Sequence, residues 1–90
     1  MDKKWFLYIL KCADGTLYTG ITDDVPRRLS EHNSGRGAKY TRGRGPVELG
    51  FCKEMASKSD ALKEEYRIKQ LSHSVKADMC TQYLQKVEML

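Results

Sequence analysis

The stretch LYTGITDDVPRRLSEHN, residues 17 to 33, contains several residues whose types and spacing suit a catalytic or binding site. Arg28 and His32 are four residues apart in this stretch, and residues at that spacing share one face of a helix. A guanidinium and an imidazole on one face can be directed at a single ligand. The structural alternative is a surface salt bridge of Arg28, for which Asp24 is one candidate partner, with His32 a partly buried residue at a helix end.

Glu65 is a further candidate because its place on the helical wheel is unusual for a carboxylate. At about 100° per residue it lies about 40° from Ala61 and about 60° from Ile68, inside the apolar arc of a predicted helix, whereas Glu64 lies nearer the edge. A carboxylate that faces a core needs a cation, a hydrogen-bond donor or a metal. We therefore predict either an ion pair with an arginine or a bound divalent cation, of which Mg²⁺ is the best match.

The positive charge of the chain is concentrated between Pro26 and Pro46. This segment has six basic residues against one acidic residue, so its net charge of +5 exceeds the +4 of the whole chain. It also contains Gly35, Gly37, Gly43 and Gly45. A basic, glycine-rich loop favours a polyanion such as nucleic acid, although a solvated surface loop has the same composition. A membrane surface is disfavoured because the segment has no apolar helical face.

Two antiparallel strands are predicted to bring the candidate tyrosines together. WFLYILKC and TLYTGIT alternate bulky residues around Ala13-Asp14-Gly15, which is typical of a hairpin turn. A two-residue loop would send Tyr8 and Tyr18 to opposite faces of the sheet. A three-residue loop with Gly15 in the left-handed conformation would pair Tyr8 with Gly20 and place both hydroxyls on one face. The glycine would then permit the close approach of another group.

The remaining elements complete an α+β domain. Asp23 or Asp24 caps a helix that ends at Asn33-Ser34-Gly35. A third strand follows Pro46, with Val47, Leu49 and Phe51 predicted on one face. Ser57 begins a second helix, and a last helix runs from about residue 74 to 89. Apolar residues are predicted to face inward at Val25, Leu29, Val47, Leu49, Phe51, Ala61, Leu62, Ile68, Leu71, Val75, Met79, Tyr83, Val87 and Leu90. The order β-β-α-β-α-α predicts a small, mainly antiparallel sheet flanked by helices in a single domain over residues 1–90.

These motifs, in this order and spacing, resemble the GIY-YIG endonuclease superfamily. The resemblance is strongest to its short stand-alone bacterial YhbQ-like (UPF0213) group, through ADGTLYTGIT, RRLSEHN, GAKYTR and ALKEEYRIKQLS, and it covers roughly residues 5 to 72. Leu-Tyr-Ile stands here in place of Gly-Ile-Tyr, and Thr19 in place of the isoleucine of the second motif. The resemblance implies a three-stranded antiparallel sheet and a metal-dependent endonuclease.

Each functional residue of the family has a counterpart in this sequence. The resemblance implies catalytic roles for Tyr8, Tyr18, Arg28, His32 and Glu65, with Glu65 holding Mg²⁺ or Mn²⁺. It implies phosphodiester hydrolysis in which Arg28 contacts the phosphate and Tyr18, helped by Tyr8 and His32, orients or deprotonates water. Nucleic acid, with DNA favoured, is expected to contact Arg27, Arg36, Lys39, Tyr40, Thr41, Arg42 and Arg44.

Several classes of protein are disfavoured by what the sequence lacks. Cys12, Cys52 and Cys80 are far apart and form no C-x-x-C pair, so neither a disulfide framework nor a zinc site is expected. We find no leader and no apolar stretch of the roughly twenty residues that a membrane span needs, and expect a cytoplasmic protein, with a monomer favoured. A nucleic-acid-binding module without turnover and an accessory protein that binds a partner stay open as alternatives.

Overall fold

The computed structural model describes residues 3–38 and 41–89 of the chain. They form a three-stranded antiparallel sheet flanked by three helices. The sheet has the order β2-β1-β3, so β1 is the central strand. The elements are β1 (Trp5–Cys12), β2 (Leu17–Thr22), α1 (Val25–Asn33), β3 (Val47–Met55), α2 (Lys58–Lys69) and α3 (His73–Glu88). The predicted α+β class and the order β-β-α-β-α-α are confirmed.

The first hairpin has the register of the three-residue turn. Tyr8 is paired with Gly20 and Leu10 with Tyr18. The Gly15 amide donates to the Cys12 carbonyl at 3.0 Å, and Gly15 has a φ of +86°, which a residue without a side chain adopts at little cost. The turn chemistry therefore determines that both tyrosines lie on one face of the sheet.

Each helix begins at a side chain that caps its first turn. Asp24, Ser57 and Ser72 accept hydrogen bonds from the backbone amides of Arg27, Asp60 and Val75 respectively. These bonds satisfy amides that have no partner within the helix. The caps of α1 and α2 are the predicted ones, and α3 begins at residue 73, one residue before the expected start.

The two faces of the sheet are covered by different helices. On one face, Leu7 and Ile9 pack with Ile68 of α2 and Cys80 of α3. On the other face, a second cluster contains Tyr8, Leu10, Cys12 and Val47, and Leu29 of α1 packs against it. The candidate tyrosines therefore lie on the face that α1 covers. Arg28 and His32 are residues of α1 and lie on the same face of the sheet.

A β-bulge changes the predicted facing of β3. Leu10 is paired with Leu49 and Ile9 with Phe51, so Gly50 is an extra residue between these pairs. The extra residue reverses the side-chain alternation. The prediction that Phe51 shares a face with Val47 and Leu49 is consequently wrong. Leu49 packs on the tyrosine face, whereas Phe51 packs against the Leu7 cluster on the opposite face.

Three residues predicted to face inward are exposed on the helices. Leu62, Val75 and Val87 are 47%, 45% and 48% exposed. The buried stripe of α2 is narrow, since only Ala61 and Ile68 are fully buried in it, and α3 buries Cys80 rather than the valines. Leu90 lies outside the described residues. The helices contact the sheet through narrower stripes than an amphipathic pattern predicts.

The ion pairs of Glu64 should make the stability of the fold depend on pH. Arg67 bonds the Glu64 carboxylate at 2.6 Å and Lys53 bonds it at 3.0 Å, and together they lower the pKa of Glu64 to about 2. A carboxyl whose folded pKa lies below its ordinary value stabilises the fold when ionised. This contribution is present above about pH 4.5 and is lost as the pH falls toward about 2. It should be on the order of 1 kcal/mol, because both cations are largely exposed.

Urea unfolding of the wild type and of Glu64→Gln tests this expectation. The variant should be less stable than the wild type at neutral pH and should match it near pH 2. A difference in unfolding free energy that stays constant across this pH range would contradict the assignment to Glu64.

Candidate active site

Three aromatic rings from β1, β2 and α1 meet on the face of the sheet that α1 covers. The ring centroids of Tyr18 and His32 are 5.3 Å apart, those of Tyr8 and His32 6.1 Å, and those of Tyr8 and Tyr18 6.4 Å. Tyr8 and His32 are only 2% and 3% exposed, whereas Tyr18 is half-buried. Of the three rings, Tyr18 therefore offers the most surface to solvent.

Gly20 leaves the space in which the two phenols meet. A Cβ atom at this position would lie 2.6 Å from the Tyr8 Oη, 2.8 Å from its Cζ and 3.1 Å from the Tyr18 Cε2. The first two distances are shorter than nonbonded atoms tolerate. A glycine in this strand was predicted to permit the close approach of another group. That group is the Tyr8 hydroxyl.

A chain of hydrogen bonds fixes the tautomer of His32. The Thr41 hydroxyl donates to the Ala38 carbonyl at 2.9 Å, so its oxygen is left to accept from the His32 Nδ1, 2.8 Å away. A neutral imidazole protonated at Nδ1 has an unprotonated Nε2. That nitrogen accepts the proton of the Tyr8 hydroxyl at 3.1 Å. The ring is thus held between Tyr8 and Thr41.

Burial keeps this pair of groups uncharged at neutral pH. It raises the pKa of Tyr8 to about 12, although the nearby Arg28 guanidinium acts in the opposite direction. Burial also lowers the pKa of His32, and the positive charge of Arg28 lowers it further. Tyr8 is therefore a phenol that donates and His32 a neutral imidazole that accepts, which agrees with the tautomer given by the hydrogen bonds.

Arg28 lies beside the tyrosine cluster with part of its side chain in solvent. Its side chain is 30% exposed, and its Nη1 is 3.2 Å from the Glu31 Oε1. The salt bridge of the structural alternative therefore forms, but its partner is Glu31, whereas Asp24 caps the helix. The positive charge of Arg28 acts on the pKa of both Tyr8 and His32. Arg28 and His32 therefore face the same cluster of rings, as their spacing predicts.

Glu65 is on α2, the helix that packs on the face of the sheet opposite to the tyrosines. Its negative charge contributes to the raised pKa of Tyr8, which places the carboxylate within electrostatic range of the phenol. The side chain is 20% exposed and lies 3.4 Å from Lys69. Lys69 in turn lines a surface cavity with Tyr18. The ion pair with an arginine that was considered for Glu65 is formed instead by the adjacent Glu64, with Arg67.

Residues 4–78 match the family model described as the GIY-YIG catalytic domain. The chain belongs to the GIY-YIG family. Its curated relatives include a UPF0213 protein of Halobacterium salinarum, 59% identical over 70 residues, which are 78% of this chain and 91% of that protein. A UPF0213 protein of Oceanobacillus iheyensis is 55% identical over 79% of this chain and 83% of its own length.

Two solved structures have the same architecture as this GIY-YIG chain. The solution NMR structure of a UPF0213 protein from Bacillus halodurans is 47% identical, covers 88% of this chain and 84% of its own, and has a TM-score of 0.55. That of a protein from E. faecalis is 38% identical, covers 99% of this chain and 91% of its own, and has a TM-score of 0.59. The family therefore supports a nuclease-type fold.

The basic segment of this GIY-YIG domain places its arginines in different surroundings. Arg36 and Arg42 are exposed, whereas Arg27 pairs with Asp23 at 2.8 Å and Arg44 with Asp14 at 2.6 Å. Thr41 is only 2% exposed, and its hydroxyl contacts His32. Lys39 and Tyr40, which were also predicted to contact nucleic acid, lie outside the described residues.

Gly37 and Thr41 contact His32, a role for these two residues that the sequence did not indicate. A Cβ atom at Gly37 would overlap the Nδ1 of His32 and lie 2.7 Å from its Cα, so the loop passes directly over the imidazole. The signal available in the sequence was the GAKYT stretch, but no periodicity connects a loop residue with a helix residue nine positions earlier. Gly37 and Thr41 together hold His32 in its buried position.

The residues of the GIY-YIG site fit a divalent cation held by a single carboxylate. The described residues contain no group of three or more histidine, cysteine, aspartate or glutamate side chains that could hold a metal. Mg²⁺ commonly binds proteins through one or two carboxylates and completes its shell with water and substrate phosphate. Glu65, partly exposed and near the phenols, is the carboxylate suited to this mode.

Among the described residues, no helix is long and apolar enough to cross a membrane.

Substituting Gly20 with alanine should disturb the fold and the cluster together. The added methyl group would overlap the Tyr8 Oη and Cζ, and relieving such overpacking costs about 1–3 kcal/mol. We expect this loss in the unfolding free energy of Gly20→Ala, measured with urea. Tyr8→Phe removes the nearer atom, so the double variant should lose less stability than the two single variants combined. Strictly additive losses would show that Tyr8 and Gly20 do not conflict.

Proposed function

We propose that this GIY-YIG domain is a divalent-metal-dependent endonuclease that hydrolyses phosphodiester bonds in nucleic acid, with DNA as its substrate class. The observation that carries the proposal is the convergence of the Tyr8, Tyr18 and His32 rings, from three elements, with the Arg28 guanidinium beside Tyr8. A purely structural cluster of this kind has no need of a partly exposed guanidinium and phenol beside it.

Arg28 is suited to the phosphate at which the reaction occurs. A guanidinium is permanently charged and can donate two parallel hydrogen bonds to the oxygens of one phosphate. Charge on these oxygens increases in the transition state, and a preorganised cation near them lowers the barrier. Glu31, the carboxylate with which Arg28 pairs, is itself partly exposed, so a phosphate can approach the guanidinium from solvent.

The burial of the two tyrosines separates their roles. Tyr18 is the more exposed phenol, so it is the one placed to orient the attacking water. Tyr8 and His32 are buried and bonded to each other, and Tyr8 keeps its proton because its pKa is about 12. They act as positioning residues that hold Tyr18 and Arg28 in place from behind. Thr41 extends this support into the basic segment.

Glu65 is the residue that would hold Mg²⁺ or Mn²⁺. When bound, the cation would supply Lewis-acid stabilisation of the phosphate and the leaving oxygen. The ion pair with Lys69 balances the Glu65 charge at 3.4 Å, a separation that leaves the carboxylate oxygens open to further ligands. The carboxylate of Glu64 is unsuited to this role because Arg67 and Lys53 already occupy its oxygens.

The basic segment would position the nucleic-acid backbone. Arg36 and Arg42 are exposed, and Arg27 and Arg44 hold exposed or half-exposed ion pairs that a phosphate could replace. Contacts of this kind supply affinity that does not depend on base sequence and that falls with salt. We extend the same role to Lys39 and Tyr40.

Incubation of the purified protein with labelled nucleic acids tests the proposal. The panel should contain duplex, branched and single-stranded DNA with matching RNA, each with Mg²⁺, with Mn²⁺ or with EDTA. We expect cleavage of DNA with a metal and none with EDTA, and Glu65→Gln and Arg28→Ala prepared in parallel should cleave at least about a hundredfold more slowly than the wild type. Cleavage retained by both variants would reveal a contaminating nuclease. Binding without cleavage under every metal would instead favour a module without turnover.

A further inference from the structure

A surface cavity at the open edge of β2 brings two lysines next to Tyr18. It has a volume of about 300 Å³ and is lined by Leu17, Tyr18, Thr19, Lys69 and Lys76. Lys69 comes from the last turn of α2 and Lys76 from the first turn of α3. Residues from one strand and two helices thus form a positively charged recess, which we call the β2-edge recess.

Lys76 is the lysine of the recess whose charge is not balanced. Its side chain is half-buried, and among residues 3–38 and 41–89 it forms no ion pair. Lys69 is paired with Glu65 at 3.4 Å. A cation that is partly withdrawn from water is stabilised by an anion that can also accept its hydrogen bonds. The recess therefore favours an anionic ligand.

The backbone of β2 adds donors to the same wall. The Cys12 amide donates to the Thr16 carbonyl at 2.9 Å, and hydrogen-bonded pairs alternate along an antiparallel ladder. Tyr18 and Gly20 accordingly direct their backbone groups toward β1, whereas Leu17 and Thr19 direct theirs toward the open edge. Within the described part of the chain, the Leu17 and Thr19 amides have no partner in a turn, loop or helix.

We propose that the β2-edge recess binds a backbone phosphate of the nucleic-acid substrate beside the bond that is cleaved, an assignment that rests on the nuclease function proposed above. Lys76 supplies the main charge, Lys69 adds to it, and the Leu17 and Thr19 amides donate to the phosphate oxygens. The proximity of Tyr18 sets the place of this phosphate next to the reacting one. Lysine is a common phosphate ligand that acts as a point charge.

The salt dependence of binding to a short duplex DNA in EDTA, measured by fluorescence anisotropy, tests the assignment without cleavage. Each phosphate contact adds about 0.9 to the slope of log affinity against log salt. We expect Lys76→Ala to lower the magnitude of the slope by about 0.9 relative to the wild type. Lys86→Ala is the matched control, because Lys86 is on the same helix but lines a cavity with Phe51 and Cys52 of β3. A wild-type slope in Lys76→Ala, or equal losses in both variants, would overturn the assignment.

Neutral methylphosphonates placed singly along the DNA then locate the contact. In the wild type, one position next to the cleaved bond should weaken binding severalfold, and in Lys76→Ala the same position should have no further effect. An equal effect in both proteins would place this phosphate elsewhere. If the wild type cleaves DNA while Lys76→Ala keeps its slope, only the recess assignment fails. If the wild type neither binds nor cleaves, both proposals fail.

Discussion

Glu65→Gln is expected to lose metal-dependent cleavage by about a thousandfold or more in kcat. A divalent cation contributes several kcal/mol of transition-state stabilisation, and each 1.36 kcal/mol corresponds to a factor of ten in rate. The neutral amide keeps the size of the side chain but is a poorer ligand for a hard cation. Single-turnover cleavage across a range of Mg²⁺ concentrations measures the effect. Affinity for DNA in EDTA should stay within a few-fold of the wild type, because Glu65 contributes no positive charge.

Glu64→Gln is the matched control, since the two residues are adjacent on α2 and the change in charge is the same. Its carboxylate is held by Lys53 and Arg67, so its loss should lower stability and leave the cleavage rate close to that of the wild type. Equal loss of activity in both variants would indicate that α2 has moved as a whole. Unchanged activity in Glu65→Gln would remove this residue from the site.

Arg28→Ala is expected to lower kcat by a factor of about 10²–10³, the usual effect of removing one preorganised donor from a transition-state anion. Arg28→Lys should recover only part of this loss, because lysine keeps the charge without the two parallel hydrogen bonds. The rate of the chemical step with saturating protein is the measurement. The deficit should persist when the DNA is fully bound, since the interaction acts on the transition state.

Arg27→Ala provides the comparison one residue away. Arg27 pairs with Asp23 and has a side chain that is 58% exposed. Its loss should weaken binding and raise KM, with kcat unchanged. If Arg28→Ala also changed KM alone, Arg28 would be a phosphate anchor like its neighbour and not a transition-state group.

The sequence predicted the parts of the fold that local chemistry determines. The Ala13-Asp14-Gly15 turn limited the hairpin to two registers, and the structure has the one that pairs Tyr8 with Gly20, with Gly15 at positive φ in a three-residue turn. The caps at Asp24 and Ser57 followed from short-range hydrogen bonds. The bulge at Gly50 could not be predicted in the same way. It depends on how β3 fits the central strand, and it reversed the facing of Phe51.

In the candidate site, too, the features that depend on local spacing were predicted, and those that depend on contacts between elements were not. Arg28 and His32 were predicted to share a helix face, and they do face the same cluster, because helical spacing is a local property. The bond between His32 and Thr41 joins a helix to a loop, so no pattern in the sequence indicates it. Glu65 was singled out by its helical position, yet Glu64, its neighbour, has the arginine partner. Which of two adjacent carboxylates meets a cation depends on side chains from other elements.

The hydrogen-bonded imidazole of His32 also offers a spectroscopic probe of the site. Its Nδ1 proton lies in the hydrogen bond to the Thr41 hydroxyl oxygen, and the two heavy atoms are 2.8 Å apart. His32 is only 3% exposed. A proton so shielded from water exchanges slowly enough to give a separate downfield resonance in a proton NMR spectrum. That signal reports whether the loop is seated on the imidazole, and it can be followed during titration with metal or DNA before any cleavage is detected.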